Sequence, residues 1–172
     1  LQFVYAYSEI TSITVNGLDG NDTLTVDFSS GNAIPTGGIS YAGGNPIVGT
    51  GDKLVLTGGT TTSVNHTFVN NSNGSVTLAG ALAGTITYTG LEPITDNLIT
   101  ADRVFTFTGA AETISIADDP GAVANVTRID SNFAEFVDFV TPLNSLKIVT
   151  NGGDTGTITA FDALFNTPVI TL

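Results

Sequence analysis

Acidic residues at the turns between short apolar strands are the side chains of this sequence best suited to chemistry. They are Asp19 and Asp22 in NGLDGND, Asp52 in GTGD, and Asp118 and Asp119 in IADDP. Carboxylate oxygens can bind divalent cations, act as general acids and bases, or accept hydrogen bonds from their own turn. The arrangement of the surrounding elements decides among these roles.

The acidic turns belong to a recurring phrase: an apolar strand that ends in Gly, an acidic turn and a second apolar strand. The phrase reads ITVNGLDGNDTLTV, GTGDKLVL, FTFTGAAETISI and KIVTNGGDTGTIT. A period of about 20 to 25 residues is typical of a solenoid, whose coils stack on one another. TLTV, KLVL, TITY and TISI alternate apolar with polar residues, which indicates strands with one buried face.

Two series of apolar residues predict which strands lie side by side. The first strands align as Ile13, Ile39, Val64, Ile86, Phe105, Val126 and Ile148. The second strands align as Leu24, Leu54, Val76, Ile94, Ile114, Val137 and Ile158. Because both series share one period, we predict an all-β fold, a parallel β-helix (β-solenoid) of about seven coils with little or no helix. A β-sandwich of antiparallel hairpins is the alternative fold.

Composition limits the partners of the chain. Its 172 residues include 16 acidic and 4 basic side chains, for a net charge of −12. This charge repels phosphate backbones, so we expect no nucleic-acid partner, and no apolar run is long enough for a membrane span. Cys is absent, which excludes thiol chemistry, and the single histidine, His66, excludes a multi-histidine metal site. We expect His66 to lie on a strand face.

We predict one module over residues 1–172. The first segment, LQFVYAYSEI, and the last, PVITL, both have the pattern of apolar strands, and neither resembles a cap. Uncovered edge strands pair with the next available strand. We therefore expect a fragment or repeat unit of a longer chain or fibre, whose partners are adjacent modules or neighbouring copies joined by end-to-end strand stacking.

Two acidic turns carry a family resemblance. GLDGNDTLT, residues 17–25, resembles the calcium-binding nonapeptide GGxGxDxUx of secreted bacterial repeats-in-toxin proteins, with Leu18 in place of the second Gly. GTGDKLV, residues 49–55, matches its later half. With phrases such as YTGLEPI, most of the chain also resembles parallel β-helix segments of very large bacterial surface or secreted proteins. The resemblance implies a secreted or cell-surface location and a structural or adhesive role, with cell-surface glycans as further partners.

The resemblance also implies calcium, bound where acidic corners of adjacent coils stack. Calcium takes six to eight hard oxygen ligands, and a Gly-rich turn lets backbone carbonyls converge beside an Asp. Consecutive nonapeptides are absent here, so we expect one or two separate sites instead of a tandem array. These sites are formed by Asp19, Asp22 and Asp52, or by Asp118 and Asp119 with a neighbouring coil. Alternatively, the carboxylates are turn residues that bond their own backbone.

A catalytic function is the competing interpretation, because the parallel β-helix is also the scaffold of pectate-lyase-like and other polysaccharide-cleaving enzymes. Such enzymes need two carboxylates beside a glycosidic bond, or a base and calcium for elimination. The candidate acids and clamps are Asp118, Asp119, Asp130, Asp138, Arg103 and Arg128. Aromatic platforms for sugars are few, with no Trp and 4 Tyr. We therefore predict a non-catalytic structural or adhesive module, with a lyase or glycosidase-like enzyme as the alternative.

Overall fold

Strands make up almost all of the regular structure. The computed structural model describes residues 6–46, 51–109, 111–121, 123–159 and 169–171. Within these residues the helices are two single 3₁₀ turns, Tyr7–Glu9 and Gly80–Leu82, which confirms the predicted scarcity of helix. Neither turn has the length or apolar character needed to cross a membrane. The strands are β1 (Ile13–Gly20), β2 (Thr23–Asp27), β3 (Ile39–Pro46), β4 (Lys53–Thr57), β5 (Thr60–Phe68), β6 (Gly74–Ala79), β7 (Gly84–Thr89), β8 (Ile94–Asp96), β9 (Ile99–Phe107), β10 (Thr113–Asp118), β11 (Val126–Ser131), β12 (Ala134–Val140), β13 (Ser145–Val149), β14 (Thr155–Ile158) and β15 (Val169–Thr171).

These strands form two mixed sheets that share one core. The first sheet has the order β1-β3-β7-β6-β5-β9-β13-β15, and the second has the order β2-β4-β8-β12-β11-β10-β14. Neighbouring strands are parallel, except where β6 is antiparallel to its neighbours in the first sheet and β11 in the second. Inward residues of both sheets, among them Leu54, Ile86, Phe105 and Val137, belong to one buried apolar cluster.

The strand register confirms part of each predicted column. In the first sheet Phe105 lies opposite Ile148, as predicted. In these columns the side chains of adjacent strands stack on the same inward face of a sheet, so their burial reinforces the register. The other members placed as predicted are Ile13, Ile39 and Ile86 in the first sheet, and Leu24, Leu54 and Ile94 in the second.

The prediction of about seven coils wound in sequence order is wrong in the middle of the chain. After β4 the chain runs through β5, returns as β6 and turns again into β7, which pairs with β3. Residues 69–73 join β5 to β6, and residues 80–83 join β6 to β7. Connections this short produce antiparallel hairpins, because a parallel pair requires a longer crossover. Val64 therefore pairs with Leu78 and Arg103 instead of Ile39.

A second meander occupies the matching place in the second sheet. β10, β11 and β12 follow one another as antiparallel neighbours, and β12 then pairs in parallel with β8. Val126 thus lies in the second sheet and Val76 in the first, the reverse of their predicted positions. Each sheet therefore contains two strands that simple winding would not place there. They are β6 and β5 between β7 and β9 in the first sheet, and β12 and β11 between β8 and β10 in the second.

Glycine permits a close approach at one corner of the sheets. A Cβ atom at Gly43 would overlap the carbonyl oxygen of Gly90 and lie 2.7 Å from the Cβ of Asp52. A Cβ atom at Gly17 would overlap the carbonyl oxygen of Gly43 and lie 3.0 Å from Oδ2 of Asp22. Because glycine lacks this atom, each acidic turn lies directly against the backbone of the preceding strand.

Candidate functional site

Acidic side chains from neighbouring strands line this corner. Asp22 and Asp52 directly precede β2 and β4, Glu92 lies just before β8, and Glu135 lies on β12. The Lys53 N–H donates to the Asp22 carbonyl over 2.8 Å, and the Glu92 N–H donates to the Asp52 carbonyl over 2.7 Å. These backbone bonds place acidic residues of successive strands beside one another. We call Asp22, Asp52, Glu92 and Glu135 the acidic column.

Asp52 is fully buried although it carries a carboxyl group. Its Oδ1 accepts the backbone N–H of Asp22 over 2.7 Å, whereas its Oδ2 has no hydrogen-bond partner among the described residues. Oδ2 of Asp22 and the hydroxyl of Tyr41 are also buried and lack a described partner. Burial, with the charges of Asp52 and Asp22, raises the pKa of Tyr41 to about 12. Buried oxygens that lack a hydrogen-bond partner are the atoms that a bound cation would coordinate.

The same type of bond recurs at a second corner, formed by Glu112 and Asp154. The Glu112 N–H donates to Oδ1 of Asp154 over 2.8 Å. Here the carboxylates have other donors, since Glu112 accepts from the Gly109 N–H and the Ser131 hydroxyl, and Asp154 accepts from the Asn151 N–H. At this corner the acidic turn therefore acts as a hydrogen-bonded cap.

The other predicted cation ligands do not extend the pair of Asp22 and Asp52. Asp19 is exposed on β1 and accepts a 3.3 Å hydrogen bond from the side chain of Asn45. Asp119 accepts two backbone N–H groups of its own turn, and Asp118 keeps one buried oxygen without a described partner. Among the described residues, no three Asp, Glu, His or Cys side chains converge as a metal site. A cation at Asp22 and Asp52 thus requires backbone or hydroxyl oxygens as additional ligands.

Within the acidic column, Glu135 has a strongly raised pKa. Only 4% of its surface is exposed, and its Oε1 has no partner among the described residues. Burial, with the charges of Glu92 and Asp130, raises the pKa of Glu135 to about 8. Burial and the charge of Glu135 also raise the pKa of Tyr88. Glu135 therefore holds a proton at neutral pH, which relieves the repulsion among neighbouring carboxylates.

A different polar group, the core ion cluster of His66, Asp96 and Arg103, is fully buried between the sheets. Oδ2 of Asp96 lies 2.9 Å from Nε2 of His66 and accepts a hydrogen bond from Nη1 of Arg103. Nη2 of Arg103 donates to the Leu98 carbonyl over 2.9 Å, and the Leu98 N–H donates to Oδ1 of Asp96 over 3.1 Å. His66 and Arg103 belong to the first sheet and Asp96 to the second, so the cluster connects the two sheets.

The protonation states of the core ion cluster follow from burial and charge. Burial lowers the pKa of His66, and its ring stacks on Phe105 at 5.0 Å, so the imidazole is neutral at pH 7. Burial opposes ionisation of Asp96, but the charge of Arg103 and the bond from His66 hold its pKa below the usual value. Because none of the three side chains is exposed, the cluster has a structural role.

The core ion cluster corrects one sequence expectation and refines another. Arg103 cannot act as a clamp for sugars, because it is buried in the core. His66 lies on β5 as expected, but on the inward face. The sequence contains a signal for both positions, since His66 alternates with Val64 and Phe68, and Arg103 is followed two residues later by Phe105.

Arg128 and Asp138 form a partly exposed ion pair on the outer face of the second sheet. Nε and Nη2 of Arg128 donate to the two carboxylate oxygens over 2.7 and 2.8 Å. The guanidinium lies 3.8 Å from the centre of the Phe136 ring. These residues border a cavity of about 310 Å³ that Lys53 and Glu92 also line. Of the proposed sugar-handling residues, the structure thus unites Arg128 with Asp138 at a surface cavity.

The described structure therefore offers three groups with different chemistry: a corner with unpartnered acidic oxygens, a sealed ion cluster and an open cavity of mixed polarity. Of these, the cavity beside Arg128 is open to solvent, whereas the unpartnered oxygens of the corner and the three side chains of the core ion cluster are buried. Comparison of the chain with models of known protein families, with curated proteins and with solved structures finds no match.

Proposed function

We propose that this chain is a non-catalytic structural or adhesive module of a bacterial extracellular or cell-surface protein, with its sheets wound as a flattened β-solenoid. The supporting observation is the unbroken hydrogen bonding from strand to strand through both sheets, with Ile13, Ile39 and Ile86 in register. Such stacking produces a rigid unit without requiring a catalytic group. The resemblance of residues 17–25 to repeats-in-toxin motifs supports the extracellular location.

The ends of the sheets support assembly with further copies or modules. Within the described residues, β1 and β2 pair on one side only, as do β14 and β15 at the other end. Inward side chains near these edges remain partly uncovered: Ile13 and Leu24 at one end, and Ile158, which is 42% exposed, at the other. A stacked neighbour would cover these side chains and bond the free strand edges.

We expect the isolated chain to associate reversibly as its concentration rises from micromolar to millimolar, which sedimentation velocity will measure. Val15→Lys should prevent this association, because it places a charge on the inward face of the edge strand β1. Thr14→Lys, on the outward face of the same strand, is the matched control. A chain that sediments as a monomer throughout this range contradicts the stacking proposal.

We further propose that calcium binds beside Asp22 and Asp52. Each contributes a buried Oδ2 without a described partner, and the Tyr41 hydroxyl is a third such oxygen. The carbonyl oxygen of Gly43 points at the space beside Gly17, where it can serve as a further hard ligand. Calcium would neutralise the two adjacent carboxylates and thereby stabilise the corner.

Calcium is expected to raise the melting temperature, because a ligand of the native state stabilises it. At 100 times the dissociation constant the gain is about 2.7 kcal/mol. This corresponds to a shift of about 5 to 10 °C, at roughly 2–4 °C per kcal/mol for a domain of this size. Thermal unfolding in calcium and in chelator will measure it. Asp52→Asn should remove the shift and the exposed Asp19→Asn should retain it; equal shifts in both variants would rule out this site.

A polysaccharide-cleaving enzyme is the second candidate, and the cavity beside Arg128 is the observation that favours it. Glu92 and Asp138 provide two carboxylates there. However, both oxygens of Asp138 already accept hydrogen bonds from Arg128, so this carboxylate is held in an ion pair. Release of reducing ends from a polysaccharide, abolished in Glu92→Gln, would establish this function.

A further inference from the structure

The cavity on the outer face of the second sheet has the form of a ligand site. We call it the outer cavity; its lining includes Lys53, Pro93, Thr95, Arg128, Phe136 and Asp138, with Glu92 exposed at its side. Its volume of about 310 Å³ is near the lower end of the range for small-molecule sites, about 300 to 1,000 Å³.

The outer cavity extends across four neighbouring strands. It reaches from Lys53 on β4, through Thr95 on β8 and Asp138 on β12, to Arg128 on β11. Thr95 lies opposite Asp138, and Asp138 lies opposite Arg128. At about 4.8 Å between strands, this path is about 14 Å long. The outer cavity therefore suits an elongated ligand that lies across the strands.

Charge indicates the class of this ligand. Lys53 and Arg128 are two of only 4 basic residues in a chain of net charge −12. In the outer cavity they face two acidic residues, Glu92 and Asp138, so the charges of the lining cancel. A balanced lining of donors and acceptors favours a neutral ligand that can both donate and accept hydrogen bonds.

The polar groups of the outer cavity are held in place before any ligand binds. The two hydrogen bonds between Arg128 and Asp138 fix both side chains, and the guanidinium is packed over the Phe136 ring. A fixed arrangement lowers the entropic cost of binding. Phe136 and Pro93 add apolar surface, and Thr95 adds a hydroxyl. Apolar patches beside fixed polar groups match sugar rings, which combine C–H faces with hydroxyl groups.

We propose that the outer cavity binds a neutral saccharide chain lying across β4, β8, β12 and β11. This inference rests on the proposed adhesive function, and it assigns the surface through which the module adheres. We expect the saccharide to be bound without being cleaved, because Asp138 is held in an ion pair with Arg128 and Glu92 is the remaining carboxylate of the lining.

The test is isothermal titration of the full chain with neutral hexasaccharides of glucose (β-1,4 and α-1,4), mannose and xylose, and with the anionic galacturonate hexamer. At least one neutral probe should bind, and Phe136→Ala and Lys53→Ala should each weaken it about tenfold. Lys147→Ala, on the outer face of the first sheet, should not. Far-UV circular dichroism of each variant separates loss of binding from loss of folding, and Lys53→Ala provides a second variant at a partly exposed position.

Three results would overturn the inference: no binding by any neutral probe at millimolar concentration, preference for the galacturonate hexamer, or equal binding by Lys53→Ala and the native chain. Release of reducing ends would instead establish cleavage. A chain that self-associates and responds to calcium but binds no saccharide would overturn this inference alone and leave the structural function intact.

Discussion

Replacement of Asp96 by Asn will destabilise the protein by about 3–5 kcal/mol, because it leaves Arg103 charged and buried without its partner. Arg103 has no exposed surface, and Asp96 is the carboxylate that accepts from both Arg103 and His66. A loss of this size is a large fraction of the roughly 5–15 kcal/mol that stabilises a typical domain. Urea unfolding followed by circular dichroism will measure the free energy of unfolding.

The outer ion pair supplies a matched control for this substitution. Asp138→Asn removes the same charge from a pair with Arg128, but those side chains are 23% and 27% exposed. Because water screens this partly exposed pair, the expected cost is smaller, about 1 kcal/mol. Asp96→Leu combined with Arg103→Met should recover much of the lost stability, since an apolar pair leaves no buried charge. Similar costs for Asp96→Asn and Asp138→Asn would contradict the assigned role of the core ion cluster.

Glu135→Gln will make the protein more stable at high pH by an amount on the order of 5 kcal/mol. The folded pKa of Glu135 is about 8, against an ordinary value of 4.5. A raised pKa contributes stability that is fully present below pH 4.5 and is lost as the pH rises through about 8. Each unit of difference is worth about 1.4 kcal/mol. Glutamine resembles the protonated acid and cannot ionise, so the variant avoids this loss.

Urea unfolding of both proteins at pH 5, 7 and 9 will test this expectation. The difference in unfolding free energy between the variant and the native chain should grow with pH, and it isolates Glu135 because all other groups are shared. This subtraction matters because the lowered pKa of His66 acts in the opposite sense, reducing stability as the pH falls below about 6.5. Glu9→Gln, at an exposed glutamate, is the control. A difference that stays constant with pH would show that Glu135 ionises normally.

The parts of the fold that the sequence predicts are those governed by a regular pattern. Alternation identifies the inward residues, and the recurring phrase correctly aligns Ile13 with Ile39 and Leu24 with Leu54. Local turns decide the rest. The period alone cannot distinguish a coil that advances from a hairpin that returns, although the two-residue turn at residues 132–133 is too short for a parallel crossover.

The candidate sites are predicted less completely because they depend on contacts between distant segments. Asp22 and Asp52 lie together, as the stacking of their turns predicts, with the binding of calcium still a prediction. Glu135 joins the acidic column only because the second meander brings β12 beside β8. Asp96 and Arg103 are only seven residues apart, but they lie in opposite sheets and meet across the core. Such pairings follow from tertiary packing, which no local pattern contains.

The two meanders interlock the chain in a way that simple winding would not. In a linear array each repeat contacts only its sequence neighbours, so the array can fray from either end. Here β5 bonds to β9, whereas β7, later in the sequence than β5, bonds back to β3. If the N-terminal strands detach, β5 therefore remains hydrogen-bonded to β9 in the C-terminal half of the stack. Under a pulling force, this arrangement should yield in one concerted rupture instead of unzipping strand by strand.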